Sequence, residues 1–191
     1  MSTLHRVHLA DCPATPWRNG GGTTRQLLAW PHGDDWRLRV DGACSRPVTL
    51  AWADLLDFEQ VDDTSDFHCV TGWSRLDIPW RGVRLSTVVA LADPADDARF
   101  VLCHAYDGYT TNLPLAEALK DDVLLAHTAD GQPLTREHGG PVRLITPQLY
   151  AWKGAKWIER VELLREDRLG LWEQNGYSNS AHPWRNDRYA R

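Results

Sequence analysis

The sequence lacks the paired cysteines that build zinc sites and covalent haem sites. It contains four cysteines, at positions 12, 44, 69 and 103, and no two of them form a Cys-x-x-Cys pair or a Cys-x-x-Cys-His run. These absences exclude a zinc ribbon and a covalently attached haem. In a reducing compartment, the default interpretation of each cysteine is therefore a small buried hydrophobe.

The sequence also lacks long apolar runs and an excess of positive charge. No run of about 18 apolar residues occurs, and the first residues show no apolar stretch behind a basic end. We therefore expect a soluble, cytoplasmic protein with no membrane partner. The formal net charge of −5 argues against a nucleic-acid partner, because such a partner requires a basic surface.

The length of 191 residues favours a single well-packed domain, since two independent domains would each have a small core. Hydrophobic residues at 42% and charged residues at 25% are typical of globular proteins. Ten tryptophans are the unusual feature of the composition. Four of them are most simply interpreted as packing and pocket walls, namely Trp73, Trp80, Trp152 and Trp157.

Hydrophobic periodicity predicts short strands with two or three small helices, and hence an α+β fold with mixed, mainly β sheets. Strands are predicted over residues 36–42, 98–106, 142–147 and 157–164, and a further strand should carry the stretch 66–74.

Helices are predicted over residues 48–58, with Thr49 as a possible N-cap, and over 83–92 and 115–122. Residues 109–114 are predicted to form a loop, and residues 123–134 a hairpin that turns at Asp130-Gly131. From about residue 169 the chain shows no periodicity, so we interpret it as a tail over the domain.

Cys69 lies in the stretch DFHCVTGWS, at the predicted end of a strand. A strand that ends in Cys-x-x-Gly-Trp brings a thiol to the edge of a sheet, where loops gather and chemistry is often placed. The local sequence leaves two interpretations open, a buried structural cysteine, which is the commoner case, and a metal ligand or nucleophile. For Cys103, in the predicted strand FVLCHAY, we expect burial in the core.

Two basic loops flank a short predicted strand further along the chain. The stretch EHGGPVRL contains His138 and Arg143, and the stretch AWKGAKW contains Lys153, Gly154 and Lys156. Guanidinium, ammonium and backbone N–H groups are suitable donors for a phosphate-like anion, and Gly154 allows an unusual turn. Each charge alone is more simply a solvated surface group, but the two loops together favour an anion-binding cradle.

Four segments of the chain resemble, in order, one known family. They are DFHCVTGWSRLDIPWRGV, GYTTNLPLAEAL, the run from Asp121 to Leu163, and GLWEQNGYSNSAHPWRNDRY. From about residue 36 to residue 189 the chain resembles the small soluble branch of the sulfite-oxidase-like molybdopterin oxidoreductases. The resemblance implies the α+β fold of the sulfite-oxidase catalytic domain.

The resemblance also implies a cofactor and its contacts. It implies one molybdenum-molybdopterin cofactor per chain, with Cys69 as the protein ligand of the metal. A thiolate is a suitable ligand because a soft, high-valent metal prefers sulfur and deprotonates the thiol that binds it. The implied cofactor-binding positions are His138, Arg143, Lys153, Gly154, Ala155 and Lys156.

Tyr109 is the second catalytic residue that the resemblance implies, placed near the metal to orient an oxyanion or to relay a proton. On local sequence alone, a tyrosine that packs on its own loop explains this position equally well. Asn112 and Arg75 are weaker candidates for lining the same pocket.

The implied activity is two-electron oxygen-atom transfer on a small oxyanion or sulfoxide-type substrate. Because the sequence has no haem motif, electrons are expected to pass to or from a separate carrier. Two alternatives stay open, a cofactor-impaired binding protein of the same fold and a HutD-like cupin that binds a small molecule.

The first 40 residues resemble a different family, the HutD-like (Ves) cupins, whose pattern includes the run WRNGGGTTR from Trp17 to Arg25. We therefore divide the chain into an atypical segment, residues 1–35, and an oxidoreductase domain, residues 36–191. Asn19 and the three glycines after it are interpreted as a linker in preference to an anion-facing loop. The glycines do not form a P-loop, because the Lys-Ser/Thr ending is missing.

Overall fold

The fold was obtained as a computed structural model that describes residue 31 and residues 33–190. The predictions for the Trp17–Arg25 run and for Cys12 lie outside the described residues. Within the described part, no helix is both long and apolar enough to cross a membrane.

The first of two sheets, sheet I, gathers strands from both ends of the described chain. Its strands are β1 (Arg37–Gly42), β2 (Val48–Ala51), β5 (Phe100–Ala105), β6 (Thr110–Pro114) and β10 (Ile158–Leu164). Their order is β2-β1-β10-β5-β6. β1 and β10 are parallel, with Val40 opposite Val161, and the other pairs are antiparallel. The last strand of the chain therefore lies at the centre of the sheet.

The second sheet, sheet II, is antiparallel and carries the predicted functional segments. Its strands are β3 (Val61–His68), β4 (Ser74–Arg84), β7 (Leu124–Ala129), β8 (Gln132–Pro133) and β9 (Arg143–Ile145). The order is β3-β4-β7-β8, and β9 pairs with residues 124–126 of β7, on the edge away from β4. The predicted hairpin is confirmed, since Ala129 faces Gln132 across Asp130 and Gly131. Both turn residues have positive φ, as a type I′ hairpin turn requires.

The helices are short and connect the strands. They are α1 (Trp52–Asp57), α2 (Leu85–Leu91), α3 (Leu115–Ala118) and α4 (Leu171–Gln174), with 3-10 turns at Gly33–Asp35, Arg136–His138, Ala151–Lys153 and Pro183–Arg185. Short helices on mainly antiparallel sheets confirm the predicted α+β class.

The main core combines apolar residues of sheet I and of helices α1 to α3 with Val83, Leu125 and Leu144 of sheet II. Trp36 and Leu38 are fully buried, and the Trp36 indole N–H donates to the carbonyl of Ile158 at 3.0 Å. Cys103 is also fully buried, as expected, and burial raises the pKa of its thiol to about 12. A smaller cluster around Ile78 and Trp80 lies on sheet II, beneath the predicted anion cradle.

Three local predictions were wrong in detail. Residues 48–51 form a strand because Val48 and Thr49 pair with β1, so the helix begins only after Ala51, whose N–H donates to Asp54 at 2.7 Å. The predicted loop at 109–114 contains strand β6, since its β-branched threonines pair with β5. The helix predicted over 115–122 is the single turn Leu115–Ala118.

Candidate functional site

Cys69 is the first residue of a tight turn that joins β3 to β4. Its N–H donates to the carbonyl of Trp73 at 2.9 Å, and its own carbonyl accepts the N–H of Gly72 at 3.1 Å. Gly72 has φ +100°, a conformation that other residues seldom adopt, which explains the glycine in Cys-x-x-Gly-Trp. The thiol is partly exposed, 3.1 Å from the Thr71 hydroxyl, so the structure places it at the sheet edge rather than in the core.

His68, the last residue of β3, connects this turn to a second one. It forms an isolated parallel bridge with Tyr150, just before the Ala151–Lys153 turn. Its imidazole Nδ1 lies 2.8 Å from the Ser74 hydroxyl, and its ring contacts Trp184 edge-on at 4.9 Å. Burial lowers the pKa of His68, and the nearby Asp66 carboxylate opposes that shift. The backbone after Tyr150 therefore lies beside the Cys69 turn.

A small cleft lies between the end of β3, the Ala151–Lys153 turn and β9. It is lined by the end of β3, the residues that follow Arg143 and the turn before Ala155, namely Asp66, Phe67, His68, Leu144, Ile145, Thr146, Pro147, Leu149, Ala151 and Gly154. The Thr146 hydroxyl is buried and has no hydrogen-bond partner within the described chain. Buried polar atoms in proteins nearly always have a hydrogen-bond partner, so this unpartnered hydroxyl is a candidate contact for a bound polar group.

Gly154 lies where the second turn approaches β9. A Cβ added at Gly154 would meet the Leu144 carbonyl oxygen at 2.7 Å, which is closer than a real Cβ contact. Its φ of −92° is ordinary, so close backbone approach explains the glycine, and not the unusual turn expected from the sequence. The carbonyl of Ala155 accepts the Leu144 N–H at 2.8 Å, which fixes the backbone at the cleft wall.

Arg143 on β9 is a buried cation for which the described chain supplies little compensation. Its side chain packs over Phe67 and Trp80, with 5.1 and 5.9 Å from the guanidinium carbon to the ring centres. One Nη donates to the His138 carbonyl at 2.9 Å, while Nε is buried with no partner among the described residues. Burial alone lowers the pKa of Arg143 to about 10, and no described carboxylate offsets it.

His138 and Lys156 lie beside Arg143, and Lys156 extends the positive charge. Burial and the charges of Lys156 and Arg143 lower the pKa of His138. A Cβ at Gly139 would lie 3.0 Å from the Lys156 side chain and 3.1 Å from Arg143, so these side chains converge on one glycine. Gly139 has φ +100°, which lets the loop turn tightly around them.

Arg75 belongs to the same group of charges, as its effect on the pKa of His138 indicates. One of its Nη atoms is 2.6 Å from an Asp130 carboxylate oxygen, and the other is buried without a partner in the described structure. We call Arg75, His138, Arg143 and Lys156 the cationic cluster. Two of the four retain unpartnered buried donors, so the cluster has the properties of an anion site.

Lys153, although predicted from the neighbouring loop, does not share this environment. It is fully buried and forms an ion pair with the buried Glu173, with 2.7 Å between Nζ and Oε1. Its Nζ also donates to the backbone and side-chain oxygens of Asn112, at 2.9 and 3.1 Å. Three contacts use the three donors of an ammonium group, so none remains for a bound anion in this arrangement.

Tyr109 and Asn112 also lie inward. The Tyr109 hydroxyl donates to the carbonyl of Trp152, and burial together with the charge of Glu173 raises its pKa well above the usual range. Asn112 is fully buried, and its amide nitrogen donates to Asp167 at 2.6 Å and to Asn179 at 2.8 Å. The Tyr109 hydrogen bond connects the residue before β6 to the Ala151–Lys153 turn, and the Asn112 hydrogen bonds connect β6 to the chain after β10. A catalytic role for Tyr109 stays a prediction.

The structure therefore brings together only part of the predicted set. Gly154 lines the cleft, while Cys69 and Ala155 directly follow the lining residues His68 and Gly154. His138, Arg143 and Lys156 form most of the cationic cluster. Thr146, Glu173, Trp184 and Arg188 were not singled out from the sequence. The last three lie in the segment GLWEQNGYSNSAHPWRNDRY, whose resemblance to the family was the available signal. Within the described chain, no group of three or more His, Cys, Asp or Glu side chains is placed to hold a metal ion.

Two family models match the chain. The model described as the oxidoreductase molybdopterin-binding domain matches residues 27–172, and the HutD model matches residues 9–44. Both resemblances inferred from the sequence are therefore confirmed, although the first match begins before residue 36 and overlaps the second.

Among curated proteins, the chain is similar to the uncharacterized oxidoreductase YuiH of Bacillus subtilis, with 44% identity over 81% of this chain and 78% of that protein. It is 29% identical to the catalytic subunit of the protein-methionine-sulfoxide reductase MsrP of Campylobacter jejuni, over 73% of this chain and 52% of that one. A putative protein-methionine-sulfoxide reductase subunit, YedZ1 of Azospira oryzae, is 32% identical over 74% and 54% of the two chains. The chain thus spans about half the length of these two sulfoxide reductase relatives.

Among solved structures, the sulfane dehydrogenase SoxCD from Paracoccus pantotrophus has the same fold, with a TM-score of 0.69 over 76% of this chain and 41% of that one. At a sequence identity of 22%, this similarity shows only that the two chains share a fold. The family model covers most of the chain, and YuiH is similar along most of its own length. The chain therefore belongs to the family of oxidoreductases with a molybdopterin-binding domain.

Proposed function

We propose that this protein binds one molybdenum-molybdopterin cofactor and transfers an oxygen atom to or from a small sulfoxide-type or oxyanion substrate. The observation that carries the proposal is a partly exposed thiol at a strand end, joined through its neighbour His68 to the cleft that lies between β3 and β9. The cationic cluster lies next to that cleft. A single thiolate with an anion site beside it matches a cofactor that has one metal and one phosphate.

The residues of the site fit the chemistry of this cofactor. The unpartnered Nε of Arg143 and the buried Nη of Arg75 are donors that a phosphate oxygen would satisfy. The Thr146 hydroxyl is a further unpartnered polar atom in the cleft wall. Gly154 packs against the Leu144 carbonyl and forms part of the cleft wall. We assign phosphate binding to Arg143, His138 and Lys156, and metal ligation to Cys69.

When bound, the cofactor supplies two-electron redox chemistry at the metal. The protein fixes the Cys69 thiolate in its turn and binds the phosphate with the buried Arg143 and the half-buried Lys156 and His138. Phe67 and Trp73 stack at 6.0 Å beside the Cys69 turn and supply apolar wall area. In this division of tasks, the protein supplies binding and orientation.

A sulfoxide-type substrate is our first choice because two of the similar curated proteins are named as protein-methionine-sulfoxide reductase subunits. A sulfoxide oxygen is a good acceptor for a cationic donor, and its methyl substituents suit an aromatic wall. The described sequence contains no haem-attachment motif, so we further propose a separate electron carrier.

The test of this proposal is metal and pterin analysis of protein produced in a host that makes molybdopterin. We expect close to one molybdenum and one pterin per chain. The loaded protein should reduce methionine sulfoxide when a reduced viologen dye supplies electrons. Protein that is folded but holds neither metal nor pterin under these conditions would contradict the proposal and favour a cofactor-impaired binding protein.

Substitution of Cys69 by serine should remove activity almost completely, because a serine hydroxyl is a much poorer ligand for a soft metal than a thiolate. The melting temperature should change by no more than about 2 °C, because the side chain is partly exposed and forms no disulfide. Cys44→Ser is the matched control, since Cys44 is also free and half-buried. Equal activity in the two variants would show that Cys69 is not the metal ligand.

A further inference from the structure

The last residues of the described chain form a closed loop, which we call the C-terminal loop (residues 177–190). Its ends are joined by the isolated bridge between Tyr177 and Tyr189 and by the Ser178 N–H, which donates to the Arg188 carbonyl at 3.0 Å. The Ser180 hydroxyl donates to Asp187 at 2.5 Å across the loop. Hydrogen bonds within the loop therefore hold it closed. The loop lies beyond residue 172, where the match to the family model ends.

Arg188 connects this loop to the Cys69 turn. One Nη donates to the carbonyl of Val70 at 2.7 Å, and Nε donates to the Asn186 side chain at 2.8 Å. The guanidinium lies 5.8 Å from the centre of the Tyr150 ring. A guanidinium held by Asn186 on its own loop and by Tyr150 beneath it directs its Nη donor to the Val70 carbonyl in a fixed geometry. Val70 directly follows Cys69.

Two more contacts join the loop to the site. The Tyr150 N–H donates to the Ala181 carbonyl at 2.8 Å, and the Trp184 ring lies edge-on to His68 at 4.9 Å. Ala181 is fully buried, while Trp184 is exposed on its other side. The loop therefore contacts both backbone segments that border the cleft, the Cys69 turn and the residues after Tyr150.

The Cys69 turn needs such support. Inside the turn, two backbone hydrogen bonds restrain it, and a Cβ added at Gly72 would meet nothing within 4 Å. An open turn with a glycine samples other conformations unless neighbouring groups restrain it. A metal ligand must be held close to its binding geometry before the metal arrives, and supporting hydrogen bonds supply that order.

We propose that the C-terminal loop is a structural part of the active site and that Arg188 is the positioning residue that holds the Cys69 turn. This inference rests on the proposed function for the identity of Cys69 as the metal ligand. The arginine touches neither metal nor substrate in this assignment. It acts through the Val70 carbonyl, with a charge-assisted hydrogen bond to the turn.

The experiment is hydrogen–deuterium exchange of the cofactor-free protein, read by mass spectrometry over residues 68–73. Arg188→Ala should raise exchange at the Cys69 and Gly72 amides about tenfold, as expected for the loss of a charge-assisted hydrogen bond. Exchange in the central strand β10 should not change. Arg188→Lys, which can still donate to Val70, should recover part of the protection and also serves if the alanine variant does not fold.

Arg185→Ala is the matched control, because Arg185 lies on the same loop and is exposed. Unchanged exchange over residues 68–73 in Arg188→Ala, or an equal rise in Arg185→Ala, would overturn the positioning role. Both measurements are made without cofactor, so they can fail while the proposed function holds. The reverse case, a chain without molybdenum that still shows the exchange effect, would leave Arg188 as a support of the turn and refute only the cofactor assignment.

In protein loaded with cofactor, the same substitution should separate the kinetic constants. With dimethyl sulfoxide as the probe and a reduced viologen as electron donor, Arg188→Ala should lower kcat about tenfold and change KM less than about twofold, since the arginine does not contact substrate. A rise in KM with unchanged kcat would instead place Arg188 in the substrate pocket and contradict the positioning role.

Discussion

Arg143 and Lys153 are two buried cations predicted for the same anion cradle, and the structure gives them opposite surroundings. The ammonium of Lys153 is neutralised inside the protein by Glu173 and by two oxygens of Asn112. The guanidinium of Arg143 keeps an unpartnered Nε and has no described carboxylate beside it.

This difference separates a structural cation from a binding one. A buried charge is costly unless it is paired, so a protein that buries an unpaired arginine has a reason outside its own fold. For Lys153 the fold itself supplies the reason, because the ion pair connects the Ala151–Lys153 turn to α4. For Arg143 the missing partner is best supplied by an anionic ligand.

The largest effect is expected on the free energy of unfolding when Lys153, the structural cation, is replaced. Lys153→Met should lower the free energy of unfolding by about 3–5 kcal/mol, because it leaves the Glu173 carboxylate buried without its counter-ion. Denaturant titration of the cofactor-free protein measures this. Lys120→Met is the control, since Lys120 pairs with Glu117 at the surface and should cost less than about 1 kcal/mol. Equal losses in the two variants would contradict the structural assignment of Lys153.

On the binding side, Arg143→Met should behave differently. In the cofactor-free protein, the free energy of unfolding should change by no more than about 1 kcal/mol, since the substitution removes an uncompensated buried charge while keeping apolar volume. Pterin content of protein made in a competent host should fall about tenfold, because a charge-assisted phosphate contact is lost. Arg81→Met, at an exposed ion pair with Asp62, is the control for both measurements. If Arg143→Met kept its full pterin content, Arg143 would not be a cation that binds the cofactor.

The smallest expected effect is a shift in the protonation of His138. Its pKa is lowered by burial and then by Lys156 and Arg143. Between this lowered pKa and the ordinary value of about 6.5, the unfolded state binds more protons, so stability is lost as the pH falls through that window. His138→Asn should flatten this part of the stability curve.

Inorganic phosphate provides a second test, of whether an anion binds beside His138. Bound at the cationic cluster, it should raise the pKa of His138 in the cofactor-free protein, as followed by NMR titration of the imidazole. The pKa of His127 is also lowered by burial, but that imidazole bonds Thr128 and Gln60 and serves as the control. A phosphate effect of equal size on both histidines would show that phosphate does not bind at the cluster.

Local features of the fold were accessible from the sequence because they depend on neighbours along the chain. The Asp130-Gly131 hairpin is one case, and the strands around Leu38 and Val161 are another. The errors arose where pairing with the preceding strand overrode the local pattern. Helical spacing at 48–51 yielded to pairing with β1, and most of the loop predicted at 109–114 yielded to pairing with β5.

The same limit applies to the site. A resemblance across four segments identified Cys69 and the basic loops, but it treated Lys153 and Lys156 as equal members of one loop. Three residues apart in sequence, they face different surroundings, since Lys156 converges on Arg143 at Gly139 while Lys153 turns into the protein toward Glu173. Spacing alone does not show which side of a turn a long side chain takes.

The sequence by itself determined the family, the α+β class and the turn that places Cys69 at a strand end, because each is written in contiguous residues. The tertiary structure decided which cations are neutralised within the protein and which remain for a ligand. It also decided that Arg188 supports Val70, a residue 118 positions away along the chain. These outcomes depend on hydrogen-bond partners that folding alone brings together, so no local pattern encodes them.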